Sequence, residues 1–277
     1  MSKVWLITGS SRGFGAELLR AVLAHGDRVV ATARQPERLR ELVEGHEDRA
    51  RVFALDVTDA DAAVAAVQFA VAEFGRLDVV VNNAGYADSA PIEETDPADF
   101  RAQIEANLFG VVNVTRAALP VLRAQRSGVF VQFSSVGGRV GGTPGLAAYQ
   151  TAKFGVEGFS EVLANEVDAF GVKVIIVEPG AFRTDWMGSS MTMHEPGPDY
   201  HDTIAFIHRL RRAANGNQPG DPARGAQIVI DVVESPDPPR RLLLGSDAVE
   251  LALTNGIQRL DEARQWAAVS RSADFPE

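Results

Sequence analysis

The chain has 277 residues, 45% apolar and 23% charged, with 27 Lys plus Arg against 37 Asp plus Glu and a formal net charge of −10. Such a balance suits one large globular domain and argues against nucleic acid or an anionic membrane as the main partner. Cysteine is absent, which excludes disulfides, thiol nucleophiles and cysteine-held metal or iron–sulfur centres. No apolar run approaches the roughly 18 residues of a membrane helix, and Val4–Ile7 is too short for a secretory signal, so a cytoplasmic setting is expected.

Short β-branched runs alternate with helical patterns along the chain. Val4–Ile7, Arg28–Ala33, Arg51–Leu55, Leu77–Val81, Val129–Phe133, Lys173–Val177 and Arg241–Leu244 read as strands. Most are continuous apolar runs, as expected for strands covered on both faces. Phe14, Leu18, Leu19, Val22 and Leu23 form one helical stripe that His25-Gly26 stops. Further helices are expected over Asp59–Phe74, from Asp96 as cap with Pro97 in the first turn, over Phe100–Ala118, and over Ala147–Ala169. The order predicts an α/β, Rossmann-type doubly wound fold: about seven parallel strands with helices on both faces. A single domain over 1–277 is expected, with a lid-like insertion at about 182–215 and a poorly ordered tail at 270–277.

The first strand runs into Thr8-Gly9-Ser10-Ser11-Arg12-Gly13-Phe14-Gly15 and then a helix. Gly9 lets the chain turn, Gly13 leaves room for a pyrophosphate, and Gly15 permits close helix–sheet packing. The free N–H groups and positive dipole end of the helix behind them suit phosphates. A purely structural turn would also use three glycines; the position after the first strand favours a dinucleotide. Gly9-Ser10-Ser11-Arg12-Gly13 also fits G-x-S-x-G, a hydrolase elbow with Ser11 as nucleophile. That rival needs a histidine, and His194, His201 and His208 read more simply as surface residues of an amphipathic segment. The second strand ends at Ala33-Arg34, where an NAD site usually has an acid. Arg34 and Arg12 therefore favour NADP(H) over NAD(H) through charge-assisted bonds to a 2′-phosphate. Glu37 is the carboxylate that would speak for NAD(H), and two solvated arginines are the plainer alternative.

Tyr149 and Lys153 stand four apart near the start of the long helix and so share a face. A cation beside a phenol lowers its pKa, which would let Tyr149 exchange a proton with an alcohol or carbonyl near neutral pH. Ser134-Ser135 and Asn82-Asn83-Ala84-Gly85 end two strands at the carboxyl edge, where doubly wound folds place ligands. Asn107 lies inside a helical stretch, where its side chain competes with the backbone and needs either solvent or a polar role.

This ordered set over about residues 3–185 resembles the short-chain dehydrogenase/reductase family: TGSSRGFG (8–15), Asp56-Val57, NNAG (82–85), Asn107, Ser135, YQTAK (149–153) and Pro179-Gly180 with Thr184. Ser135-Val136-Gly137-Gly138 and Pro179-Gly180-Ala181-Phe182-Arg183-Thr184 are similar to the 17β-hydroxysteroid and retinol dehydrogenase branch. The resemblance implies Tyr149 as acid/base and Lys153 as the group that lowers its pKa and holds the nicotinamide ribose. It implies that Ser135 orients the substrate oxygen and that Asn107 supports a water linking Lys153 to solvent. Asp56 would meet the adenine amino group beside Val57. The loop residues Gly9, Ser11, Arg12, Gly13, Phe14 and Gly15, with Arg34, would hold the phosphates and ribose. Asn83, Ala84 and Gly85 would line the cofactor, and Pro179, Gly180, Phe182 and Thr184 would meet its nicotinamide end. Ser135 precedes Tyr149 by fourteen positions where many relatives have thirteen, which an extra loop residue around Gly141-Gly142 accommodates. Phe14 stands where Ile is more usual.

Phe182, Trp186, Met187, Met191, Met193 and Phe206 cluster in and after the insertion. They suit either an adaptable apolar pocket or simple packing of the lid on the core. The expected function is oxidoreduction of a hydrophobic secondary alcohol or ketone; the alternative is an NAD(P)-sensing binding protein without turnover. No metal spacing is present among the histidines, since His194-Glu195-Pro196 lacks a second histidine. A homodimer or homotetramer is expected from the resemblance, with Phe159, Val162 and Leu163 as either its contact stripe or part of the monomer core.

Overall fold

The computed structural model describes residues 2–275. Seven parallel strands form the central sheet: β1 (Val4–Ile7), β2 (Arg28–Ala33), β3 (Ala50–Ala54), β4 (Val79–Asn82), β6 (Gly128–Phe133), β7 (Val172–Pro179) and β9 (Arg241–Leu244), in the order β3-β2-β1-β4-β6-β7-β9. Between them run α1 (Gly13–His25), α2 (Arg40–Val43), α3 (Ala60–Phe74), α4 (Pro97–Ile104), α5 (Gly110–Gln125), α6 (Val136–Arg139), α7 (Ala147–Val167), α8 (Phe206–Ala214), α9 (Pro222–Glu234) and α10 (Ser246–Arg271). The expected strands are all present, with ends shifted by one or two residues at several of them.

The continuous apolar runs serve two cores at once, because successive strand side chains point to opposite faces. Trp5, Ile7, Val29, Ala31, Val79 and Val81 pack into one core, covered by α1 and α9. Val4, Leu6, Val30 and Val80 pack into the other, under α3, α5 and α7. Helix starts follow the sequence. Asp59 Oδ1 accepts from the Asp61 and Ala62 amides, and Asp96 Oδ1 from the Ala98 amide.

Three expectations change. The stretch Phe100–Ala118 is not one α-helix: a π-helical turn over Glu105–Phe109 joins α4 to α5, with Asn107 at its centre. The lid-like insertion expected at about 182–215 contains regular structure. Its Met191–Met193 forms a strand, β8, that pairs in parallel with Ala87–Ser89, β5, and α8 follows a π-helical turn over His201–Ala205. Ala-Asp-Ser has no strand signature, so this small sheet arises only where the fold brings the two segments together. Finally, α10 continues through Arg271, while residues 276–277 of the expected tail lie outside the described residues. Of the stripe on α7, Leu163 and Phe159 pack into the core and Val162 alone is exposed.

Beneath α7 lies an ionic network. Glu178 on β7 is fully buried and accepts from Arg139 Nη1 at 3.3 Å and Arg241 Nη1 at 2.6 Å. Arg241 also pairs with Glu157 and, at 2.6 Å, with Glu161, both on α7. Removing one partner from such a network leaves buried charge uncompensated. R241M should cost about 3 kcal/mol of stability in urea denaturation near neutral pH. The loss should shrink at acid pH, since burial already raises the Glu157 pKa and protonation removes the orphaned charge. A loss that is the same at both pH values would show that the network is not what Arg241 supports.

Candidate active site

The strands end along one edge, and the chain there encloses a cavity of about 780 Å³. Every candidate site residue from the sequence lines it except Gly15. Gly15 lies beneath: a Cβ there would meet the Gly9 carbonyl oxygen at 2.3 Å and Asn83 Nδ2 at 2.6 Å. Its role is the packing half of the sequence argument, not contact with a ligand.

The glycine loop is held by the end of β4. Gly9 has φ +65, and a Cβ on it would come within 2.8 Å of Ala84 Cα. Asn83 Nδ2 donates to the Thr8 and Gly9 carbonyls at 3.0 and 3.1 Å, and Thr8 Oγ1 accepts from the Asn83 and Ala84 amides. The Asn83 side chain therefore braces the loop. Behind it, α1 starts at Gly13 with no side-chain cap and no acid in its first turn. Free N–H groups and an uncompensated positive dipole end thus sit at a cavity wall made of glycine. These features fit a dinucleotide pyrophosphate, and Gly13, with φ +55, leaves the space a Cβ would fill.

At the far end of this loop, Arg34, Asp56, Val57 and Thr58 line the cavity, and Glu37 does not. Asp56 Oδ1 accepts from the Thr58 amide and hydroxyl at 3.0 and 2.8 Å, which leaves Oδ2 available to a ligand. Arg12 donates through Nη1 to Ser189 Oγ at 3.2 Å, so it reaches toward the insertion. Ser11 lines the cavity, but among the described residues its hydroxyl bonds no histidine; His208 bonds Ser89 instead. The hydrolase reading thus lacks its base.

At the other end stand Asn107, Ser135, Tyr149 and Lys153. Ser135 begins α6, and its Oγ accepts from the Gly137 amide at 3.0 Å, which fixes the oxygen. Gly141 and Gly142, at φ +70 and +77, take up the extra loop length before α7. Ser134 also borders the cavity, but it is buried beneath α6, where a Cβ on Gly138 would meet its hydroxyl at 2.5 Å. Asn107 is fully buried in the π-helical turn. Its Nδ2 donates to the Tyr86 and Gln103 carbonyls at 2.9 Å each, and its Oδ1 accepts from the Tyr86 amide at 3.2 Å. That resolves the misfit of a mid-helix Asn: its side chain binds backbone groups across the cleft floor.

Tyr149 and Lys153 share the expected face, and Lys153 Nζ lies 5.7 Å from the Tyr149 ring centroid. The expected drop in the phenol pKa does not occur. Burial pushes Tyr149 up to about 12, with the Ser135 hydroxyl pulling the other way. Lys153 donates to the Phe133 carbonyl at 2.7 Å, and burial lowers its pKa to about 8, with Glu157 opposing. Desolvation penalises both charged forms, and for the phenol it outweighs the Ser135 hydrogen bond. The phenol is therefore held protonated at neutral pH in the protein alone.

The apolar cluster of the insertion divides. Phe182, Trp186 and Met187 line the cavity. Trp186 packs on Tyr149 at 5.3 Å between centroids, and Met191 and Met193 pack around the same tyrosine. Phe206 faces solvent. Phe14 sits between Phe133 and Phe182, at 5.4 and 4.7 Å, which is the packing an aromatic ring supplies in that loop position. Two charged wall residues had no sequence signal. Asp247 accepts from the Ala181 amide at 2.7 Å, and Arg211 projects from α8. Both lie beyond the motif-bearing region, in segments whose pattern speaks only of helix.

Among the described residues, no helix is long and apolar enough to cross a membrane. The family model described as short chain dehydrogenase matches residues 3–195. Oxidoreductase BOA17 of Botryotinia fuckeliana is 51% identical over 254 residues, covering 91% of this chain and 92% of that one. A short-chain dehydrogenase of Streptomyces avermitilis superposes with a TM-score of 0.91 at 39% identity, over 99% of this chain and 98% of its own. A metagenomic short-chain oxidoreductase in complex with NADP follows with a TM-score of 0.69 at 28% identity, over 87% and 96%. Glycine loop, sheet order and whole-length likeness agree: the chain belongs to the short-chain dehydrogenase family and is an oxidoreductase with its Rossmann-like fold.

Proposed function

We propose that the protein is an NADP(H)-dependent oxidoreductase that interconverts a hydrophobic secondary alcohol and its ketone, with Tyr149 as acid/base. One observation carries this reading. A single cavity joins the uncapped start of α1 and Arg34 at one end to Ser135, Tyr149 and Lys153 at the other. The NADP-bound metagenomic relative supports a nicotinamide cofactor. Arg34 on the wall, with Glu37 off it, supports the phosphorylated form. The loop amides of α1 would hold the pyrophosphate, Arg34 the 2′-phosphate, and Asp56 the adenine. When bound, the nicotinamide supplies or accepts the hydride.

The chain's own residues do the rest. Ser135 and Tyr149 would hold the carbonyl oxygen between two hydroxyls. In reduction the Tyr149 O–H bond breaks and its proton passes to that oxygen, completing the alcohol as hydride reaches carbon. The tyrosinate left behind is buried, and Lys153 is the cation that offsets its charge. Asn107 holds the Tyr86 backbone, and with it the wall formed by Gly85, against which a Cβ would meet both Asn107 Oδ1 and Lys153 Nζ. Trp186, Met187 and Leu146 supply the apolar side of the cleft.

Tyr149→Phe should lower NADPH-dependent ketone reduction by at least about 100-fold while leaving NADPH affinity nearly unchanged. Comparable turnover in the variant would remove Tyr149 from this role. In the protein without cofactor, the tyrosinate absorbance lost in that variant should titrate at about pH 12; a midpoint below the ordinary 10.0 would contradict the buried phenol. Arg34→Ala should weaken NADPH about 30-fold and NADH hardly at all in direct titrations. An unchanged ratio between the two would withdraw the 2′-phosphate from Arg34.

A further inference from the structure

The cleft carries a cation that the chemistry above does not use. Arg211, on α8, is 8% exposed and lines the same cavity as Tyr149. Its Nη1 donates to Ser89 Oγ at 2.7 Å and its Nη2 to the Pro144 carbonyl at 3.3 Å. Both acceptors are neutral. Among the described residues no carboxylate lies within 4.0 Å of this guanidinium, and burial alone perturbs it. A guanidinium keeps its charge and has five N–H donors, so charge and hydrogen-bonding capacity are left over. The other inward cations discussed above have their answers: buried Lys153 meets the Phe133 carbonyl, and half-buried Arg241 meets three glutamates.

The side chain is also held in place. Ser89 is fully buried on β5, and its Oγ lies 2.8 Å from Nε2 of His208, itself 1% exposed. Ser89 and Pro144 thus pin the fork from two sides. Ala87 of the same strand and Leu146 of the same loop both pack on Tyr149. Arg211 therefore stands on the substrate side of the tyrosine, with Leu146, Trp186 and Met187 forming the apolar wall of that cavity. A buried, pre-oriented cation without an anion is costly unless something else supplies the anion.

We infer that Arg211 binds a carboxylate on the substrate, so that the substrate is an apolar keto acid or hydroxy acid rather than a neutral ketone or alcohol. This rests on the cleft being the substrate site of the oxidoreductase proposed above. The apolar wall takes the carbon body, and the fork takes the carboxylate through charge-assisted bonds. The competing role is a clamp that merely ties α8 to Ser89 and Pro144.

A pair of inert probes separates the two. In calorimetric titration of the full chain, octanoate should bind about 100-fold more tightly than octanamide. Arg211→Met should erase that preference, and Arg211→Lys should keep part of it. Equal affinities in the unaltered protein, or a preference that survives in Arg211→Met, would overturn the assignment. Should Arg211→Met fail to fold by circular dichroism, Arg211→Lys decides alone: a reduced octanoate preference in it supports the assignment, and an unchanged preference overturns it. Kinetics with NADPH on a keto acid and its methyl ester then test the two readings apart. Equal kcat/KM for both overturns the carboxylate and keeps the oxidoreductase. Carboxylate-selective binding with no ketone turned over, acid or neutral, keeps the carboxylate site and overturns the oxidoreductase.

Discussion

The site depends on one close approach: the backbone after β1 lies directly against the end of β4. Gly9 has no side chain because Ala84 occupies the space, and Gly15 has none because the Gly9 carbonyl does. Thr8 and Asn83 tie the two segments with four hydrogen bonds. Strand β1 lies between β2 and β4 at the point where the strand order reverses, so a crevice opens there. Without side chains in the way, the start of α1 reaches that crevice with its amides free. The free amides at the crevice wall follow from this contact, and the proposed pyrophosphate site rests on them.

Burial then sets the electrostatics. Tyr149 and Lys153 are both buried, and loss of water works against the charged form of each. The pair is better described as a protonated phenol with a cation in reserve than as a preformed phenolate. The same principle makes Arg211 informative. Low dielectric strengthens whatever interaction a buried charge finds and penalises its absence. A cation with only neutral partners in a ligand-sized cleft therefore says something about the ligand.

Much of the fold was legible in the residues. Runs such as Val79-Val80-Val81 announced strands covered on both faces, because each residue supplies a different core. Asp59 and Asp96 announced helix starts through their short acceptors. The glycine loop, Arg34, Tyr149 and Lys153 were legible because local spacing carries their geometry. Less visible were β5 and β8, whose pairing needs two segments about a hundred positions apart. The π-helical turn at Asn107 was equally hidden, since its side-chain partners include the backbone of Tyr86, 21 positions away.

Sequence by itself determined the strand and helix order, the glycine turn, the helical face shared by Tyr149 and Lys153, and the family. The elements, the turn and the shared face are written in periodicity and spacing, and the family in the resemblance of its ordered motifs. Tertiary structure alone decided the ionisation of the phenol, the orientation of Arg12 toward the insertion, and the company kept by Arg211. Each depends on burial and on which distant groups are near, and neither quantity exists until the chain has folded.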